Sequence, residues 1–134
     1  MTQVVVPVRY PLSKHSKATL AEAIETADRE DATLTVLHIN LYQDGSRITR
    51  SELKDAVETA FGPQSDVRYT VRSGFLVEES ILKEVAEERA DIVVIGRKQV
   101  SRWRRMINRL VDDPDIGRYL EEKLDARLVT VEAP

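Results

Sequence analysis

The sequence contains no cysteine, only five glycines in 134 residues, and few aromatic side chains, which make up 5% of the chain. The absence of cysteine excludes disulfides, thiolate metal sites and cysteine nucleophiles. No apolar run approaches the roughly 18 residues that a membrane-spanning helix needs. The first residues also lack the basic segment and long apolar run of a signal peptide. We therefore expect a cytoplasmic protein without a membrane span.

Positive charge is not in excess either, because the formal net charge is −3 and the isoelectric point is about 5.5. Nucleic-acid-binding domains are more often basic throughout, so the overall composition disfavours a nucleic-acid partner. Hydrophobic residues make up 42% of the chain and charged residues 32%, as is usual for a globular protein. The length predicts one domain that covers residues 1–134.

Short apolar runs rich in β-branched residues alternate with segments of helical periodicity. The predicted strands lie at residues 4–8, 33–39, 66–74, 91–96 and 128–131. Leu20, Ala23, Ile24 and Ala27 recur at the spacing of one helix face, which predicts a helix over residues 14–31 with Ser13 as its N-cap. Further helices are predicted before Gly62-Pro63, after Gly74, from Ser101 and from Asp113-Pro114.

The alternation of strands and helices predicts an α/β fold with an open, five-stranded, doubly wound parallel sheet of Rossmann-like type. The run at 91–96 is the most apolar and should lie inside the sheet, whereas the alternating run at 66–74 should lie at its edge. Ligands of such sheets bind beyond the carboxyl ends of the strands. The candidate residues there are Val8, Arg9, Ile39, Gly96, Arg97 and Lys98.

The scarcity of glycine excludes two nucleotide motifs. Neither the phosphate-binding pattern G-x-x-x-x-G-K-[ST] nor the dinucleotide pattern G-x-G-x-x-G occurs, and the turn after the first strand contains no glycine. A receiver domain would need acidic residues where Arg9 follows the first strand. A flavodoxin would be expected to supply more aromatic side chains around its flavin.

Several segments, taken together and in order, resemble universal stress proteins. They are VVVPVRYPLSKHSKATLAEAI at 4–24, VLHI at 36–39, the turn at Gly74, ADIVVIGRK at 90–98 and the closing LVTV at 128–131. The resemblance covers essentially the whole chain. It implies a Rossmann-like domain of the adenine nucleotide alpha hydrolase-like type, a role in the stress response, and a homodimer.

The ATP-binding members of that family are similar to one another in an acidic residue after the first strand and in a glycine loop after the fourth. The loop has the pattern Gly, two residues, Gly, nine residues, Gly, then Ser or Thr. This chain has Arg9 at the acidic position, and only Gly96 matches the loop, because Gln99, Arg109 and Leu110 replace its other members. The resemblance therefore implies the non-ATP-binding type, a non-catalytic binding or regulatory module without a cofactor.

The start of the last predicted helix also disfavours a triphosphate. Asp113 should cap its N–H groups, and Pro114 has no N–H to offer. Asp112 and Asp115 add like charge, and one such contact at about 4 Å costs about 4 kcal/mol at an effective dielectric of 20. A nucleotide or smaller anion held by Arg9, Arg97 and Lys98 is the alternative, and Arg9 paired with a carboxylate is the purely structural interpretation.

The segment GRKQVSRWRRMINRL at 96–110 holds six basic residues and no acidic one. On a helix from Ser101, four apolar side chains share one face: Trp103, Met106, Ile107 and Leu110. They either pack on the domain or anchor a protein partner together with Arg105 and Arg109. The basic helix at 101–110 could also bind an anionic surface of RNA or membrane, although Asp112, Asp113 and Asp115 would partly neutralise it.

Two further predictions concern metals and assembly. His15 and His38 have no neighbouring carboxylate pattern, so we predict no metal site, and spacing alone supports no catalytic triad. The last strand leaves an apolar sheet edge open, and pairing it with its own copy would remove that edge. We therefore predict a homodimer through Leu128, Val129, Thr130 and Val131.

Overall fold

A computed structural model of the chain describes residues 2–45, 47–111 and 127–131. Strands and helices alternate along it, as the periodicity predicts. In chain order they are β1 (Gln3–Pro7), α1 (Lys14–Glu30), β2 (Thr33–Leu41), α2 (Arg50–Phe61), β3 (Val67–Gly74), α3 (Val77–Glu87), β4 (Ile92–Gly96), α4 (Arg97–Val111) and β5 (Arg127–Val131). The predicted helix from Asp113-Pro114 lies outside the described residues.

The five strands form one parallel sheet in the order β3-β2-β1-β4-β5. Val4 of β1 lies opposite Leu34 of β2 on one side and Ile92 of β4 on the other. The predicted α/β class and open doubly wound sheet are confirmed, with β3 at an edge and β4 in the interior. The chain extends the sheet from β1 towards β3 and then resumes on the other side at β4. The carboxyl ends of β1 and β4 therefore form the topological switch point.

The core consists of two layers, one on each face of the sheet. Val4 and Val6 pack with Leu20 of α1 and Leu53 of α2 on one face. Val5 packs on the other face, where α3 and α4 contribute Ile81, Leu82, Val85, Val100 and Trp103. Because successive strand residues point to opposite faces, the apolar run of β1 supplies both layers. Burial of each large apolar side chain contributes about 1.5–3 kcal/mol.

The ends of the helices follow local sequence signals. Ser13 caps α1, as predicted, and its side chain accepts a hydrogen bond from the backbone N–H of Ser16. Thr49 and Glu52 form a reciprocal capping box at the start of α2. Gly62 ends α2 with a φ of 80°, a conformation that only glycine adopts readily.

Helix α4 differs from its prediction. It begins at Arg97, directly after β4, and not at Ser101. Trp103 is only 3% exposed and packs in the α3–α4 layer, with Met106 half-buried beside it. Of the predicted apolar face, the side chains of Ile107 and Leu110 lie outside the described set. In the part of the chain that the structure describes, no helix is long and apolar enough to cross a bilayer.

Candidate functional site

A cavity of about 550 Å³ lies at the switch point, where β1 and β4 end and α1 and α4 begin. Its floor is formed by Pro7, Gly96 and Val131. The α1 side contributes three hydroxyl groups, from Ser13, Ser16 and Thr19. Basic side chains make up most of the remaining wall, and they are Arg9, His15, Arg97, Lys98 and Arg102. The volume falls in the usual range for small-molecule sites.

Hydroxyl groups fix the turn between β1 and α1 against the helix. The N–H of Arg9 donates to Ser16 Oγ at 3.1 Å, and the N–H of Ser16 donates to Ser13 Oγ at the same distance. Thr19 Oγ1 donates to the carbonyl of His15 at 2.8 Å. Ser16 and Thr19 are buried by this packing. The result is a fixed position for the Arg9 backbone at the mouth of the cavity.

On the other side of the cavity, β4 passes into α4 without an intervening loop. Val100 and Trp103 anchor α4 on the sheet, so that Arg97, Lys98 and Arg102 remain exposed at the cavity. A Cβ added at Gly96 would lie 3.7 Å from Thr19 Oγ1, an ordinary contact distance. Neither its φ angle nor a close approach therefore requires glycine at this position.

The electrostatics of the cavity favour an anion. No carboxylate is among the side chains that line it in the described part of the chain. Both helices that begin here lack an acidic residue in their first turn, whereas α2 and α3, which begin elsewhere, carry Glu52, Glu78 and Glu79 there. A helix N-terminus carries partial positive charge, so basic residues in the first turn are unfavourable unless an anion offsets them.

Four of the six residues predicted for a ligand site line this cavity, and they are Arg9, Gly96, Arg97 and Lys98. Val8 and Ile39 do not, which corrects the prediction for both; each is only 7% exposed. The N–H of Val8 donates to the carbonyl of Leu37 and so continues the strand pairing past β1. Ile39 lies within β2, which extends to Leu41, and packs against the α3–α4 layer.

The alternative in which Arg9 pairs with a carboxylate is not realised among the described residues, where Arg9 makes no ion pair. Sequence reasoning missed several lining residues, namely Ser13, His15, Ser16, Thr19 and Arg102. The Ser-x-His-Ser pattern at 13–16 and its position after the first strand could have identified the first three. Arg102 follows Lys98 by one helical turn, but only once α4 is known to begin at Arg97.

The three residues predicted to contact a protein partner, Trp103, Arg105 and Arg109, do not share one exposed surface. Trp103 is in the core, so this side chain packs on the domain and is not exposed to a partner. Arg105 and Arg109 are exposed on α4. In the described ranges, no group of three or more histidine or acidic side chains could hold a metal ion.

A smaller cavity of about 320 Å³ lies beside the carboxyl end of β3, the strand at one edge of the sheet. Glu84 of α3 lines it and is 1% exposed, and one of its carboxylate oxygens accepts from Arg72 Nε at 2.7 Å. The other oxygen has no hydrogen-bond partner in the described part of the chain. Burial raises the pKa of Glu84 despite the opposing effect of the Arg72 guanidinium.

No family model and no curated protein sequence matches the chain. Similar solved structures include a universal stress protein in complex with cAMP, with 16% identity and a TM-score of 0.60 over 99% of this chain and 98% of that one. UspA from Lactobacillus plantarum is 18% identical, with a TM-score of 0.57 over 97% of both chains. The Archaeoglobus fulgidus universal stress protein in complex with dAMP is 14% identical, with a TM-score of 0.55 over 97% of both. At these identities the likeness establishes a shared fold.

Proposed function

We propose that the chain is a stress-response binding module of the universal stress type, and that its cavity holds a compact phosphate-bearing ligand. The fold it shares with solved universal stress proteins supports the first part. The second part rests chiefly on one observation: two helices with basic first turns begin at a cavity whose described lining has no carboxylate. We infer binding and not catalysis, in line with the resemblance.

A ligand with one phosphate fits this arrangement best. Arg9, Lys98 and Arg102 surround the cavity from two directions, and arginine suits paired contacts with phosphate oxygens. Two of the structural neighbours were solved with cAMP and with dAMP, and each of these molecules carries a single phosphate. We therefore propose a nucleoside monophosphate, or inorganic phosphate, as the ligand class.

Mg-ATP in the pose of the family's ATP-binding members is not expected. A glycine loop wraps a triphosphate with backbone N–H groups in non-helical conformations, but the residues after Gly96 are helical, so that only the N–H groups of the first turn of α4 are free to face an anion. Gln99 and Arg109 stand where that loop would have its next two glycines. We expect any Mg-ATP binding to be weaker than about 1 mM, which corresponds to about −4 kcal/mol.

Calorimetric titration with dAMP, inorganic phosphate and Mg-ATP at moderate salt tests this proposal. We expect dAMP to bind more tightly than Mg-ATP. The double substitution Arg9→Gln with Lys98→Gln should weaken the binding of dAMP at least tenfold, or by about 1.4 kcal/mol, because each substitution removes a charge-assisted contact. Arg50→Gln with Lys54→Gln removes the same charge from exposed positions of α2 and should leave binding unchanged.

Two results would contradict the proposal. A micromolar constant for Mg-ATP would show that the triphosphate is accepted without the glycine loop. If the wild type and the Arg9/Lys98 variant bind dAMP and phosphate equally well, the cavity is not the anion site. The same conclusion follows if the wild type binds neither ligand.

A further inference from the structure

A line of basic side chains runs along α4 and is longer than the cavity requires. Lys98, Arg102, Arg105 and Arg109 recur at i, i+4, i+7 and i+11, which places them on one side of the helix. Val100 and Trp103, on the other side, are buried in the core. We call these four residues the basic stripe. At 1.5 Å per residue, it is about 16 Å long.

The basic stripe begins inside the cavity and continues beyond it. Lys98 and Arg102 line the cavity, whereas Arg105 and Arg109 are exposed further along α4. None of the four makes an ion pair with a residue that the structure describes. Other arginines are used by the fold itself, as in the ion pairs of Arg72 with Glu84 and of Arg127 with Glu30. Within the described residues, the charge of the basic stripe is therefore not offset by an ion pair.

A nucleoside monophosphate in the cavity would meet only the first two residues of the basic stripe. A ligand that uses all four must carry several anionic groups in a row. Phosphates of one strand lie about 3.4 Å apart along the axis of a stacked helix and farther apart in an extended strand, so more than one phosphate fits along about 16 Å. The nucleotide that enters the cavity must be unpaired, because a cavity of about 550 Å³ holds a single nucleotide, and a single strand meets this condition at its end.

Other anionic partners fit less well. A helix that binds a membrane surface inserts exposed apolar side chains, and among the α4 side chains whose burial the structure describes, Trp103 is in the core and Met106 is half-buried. An acidic protein would be expected to find an apolar anchor among the arginines, but the apolar side chains of α4 whose burial the structure describes, Val100, Trp103 and Met106, are buried or half-buried. The net negative charge of the whole chain led the sequence analysis to disfavour a nucleic-acid partner. The charge of α4 is different, because residues 97–111 hold six basic side chains and no acidic one.

We propose that α4 binds a single-stranded oligonucleotide, with its terminal phosphate in the cavity and its following phosphates along the basic stripe. This rests on the proposed anion site and extends it. A terminal phosphate monoester carries more charge than a diester, which suits the end of the stripe where two helix N-termini meet. Arginine contacts with backbone phosphates do not discriminate between bases, so we expect little sequence preference.

The test uses fluorescence anisotropy with labelled eight-nucleotide RNA and DNA strands, each with and without a 5′-phosphate, alongside calorimetry with dAMP. Arg105→Gln with Arg109→Gln should weaken the phosphorylated strand at least tenfold. It should also reduce the slope of log affinity against log salt by about 1.4, since each single-strand phosphate contact contributes about 0.7. Binding of dAMP should be unchanged. Arg105→Lys with Arg109→Lys should retain most of the strand affinity, and Arg50→Gln with Lys54→Gln serves as the charge control.

Each part of the proposal can fail separately. If the wild type binds the strand no better than dAMP, or the Arg105/Arg109 variant behaves as wild type, the oligonucleotide proposal is wrong and the anion site stands. If dAMP and phosphate fail to bind, the anion site is wrong. If the strand binds equally without its 5′-phosphate, the terminal phosphate does not occupy the cavity. Tighter binding to anionic vesicles or to polyglutamate than to either strand would assign the stripe to a membrane or an acidic protein.

Discussion

At the scale of single residues, Glu84 is the most unusual side chain in the described structure. It is a buried carboxylate with one oxygen held by Arg72 and the other without a hydrogen-bond partner. Burial raises its pKa, although the Arg72 guanidinium acts in the opposite direction. A carboxyl group whose pKa is higher in the folded state than in the unfolded state takes up a proton on folding.

Replacing Glu84→Gln should therefore alter how stability depends on pH. The contribution of Glu84 to wild-type stability is largest below its unfolded pKa and falls as pH rises through its raised folded pKa. Glutamine does not titrate but can still accept from Arg72. Urea unfolding from pH 4 to pH 8 should show the wild type losing stability relative to the variant as pH rises. Parallel profiles would contradict this, and Glu87→Gln, an exposed carboxylate that also contacts Arg72, is the control.

At the scale of elements, the turn from β3 into α3 depends on a close approach at Gly74. A Cβ added there would clash with Ser80 Oγ, whose hydroxyl donates to the carbonyl of Leu76 at 2.9 Å. It would lie 3.6 Å from the Ser80 Cβ, which is an ordinary contact. The clash therefore involves the hydroxyl alone.

A double-mutant cycle can test this contact. Gly74→Ala should cost about 1 kcal/mol of unfolding free energy, because the Ser80 hydroxyl must move away from its acceptor. In a Ser80→Ala background the same change should cost less than about half as much, which is a measurable coupling. Gly45→Ala, where nothing lies within 4 Å of the added Cβ, should stay within about 0.5 kcal/mol. Additive effects of Gly74→Ala and Ser80→Ala would contradict the argument.

The order of the elements could be predicted because each strand is a short β-branched run and each early helix has a regular apolar face. The candidate residues Arg9, Gly96, Arg97 and Lys98 could be placed together at one cavity, since the carboxyl ends of β1 and β4 are local in sequence. The start of α4 could not be predicted, because Gly96 before Arg97 offers no capping side chain and a strand that passes directly into a helix leaves no turn signal. Ile39 was misplaced because the length of β2 depends on its pairing with β3, a contact between distant segments.

At the scale of the whole molecule, the two edges of the sheet differ. The β3 edge carries Arg68, which pairs with Glu88 at the C-terminal cap of α3, and Arg72, which pairs with Glu84 of α3. Charged side chains of this kind protect an edge strand from pairing with another chain. The β5 edge follows β4 in the sheet order, and residues 128–131 carry no charge. The β5 edge is therefore the one suited to self-association.

The predicted homodimer through Leu128, Val129, Thr130 and Val131 can be tested in solution. Sedimentation of the wild type at tens of micromolar should give a dimer. Val129→Pro should give monomers, because proline removes an N–H and cannot pair within a sheet interior. Retained far-ultraviolet dichroism would show that the variant still folds. A wild-type monomer at that concentration, or a Val129→Pro dimer, would contradict the prediction.

Charge is distributed unevenly over the molecule. Residues 97–111 carry six positive charges, so the rest of the chain must carry −9 for the total to be −3. Such a molecule has a permanent electric dipole with α4 towards its positive pole. In the field of a negatively charged body it experiences a torque before it makes any contact, and α4 turns to face the source. Encounters with polyanions would therefore be oriented by rotation, even though the net charge of the molecule is repelled.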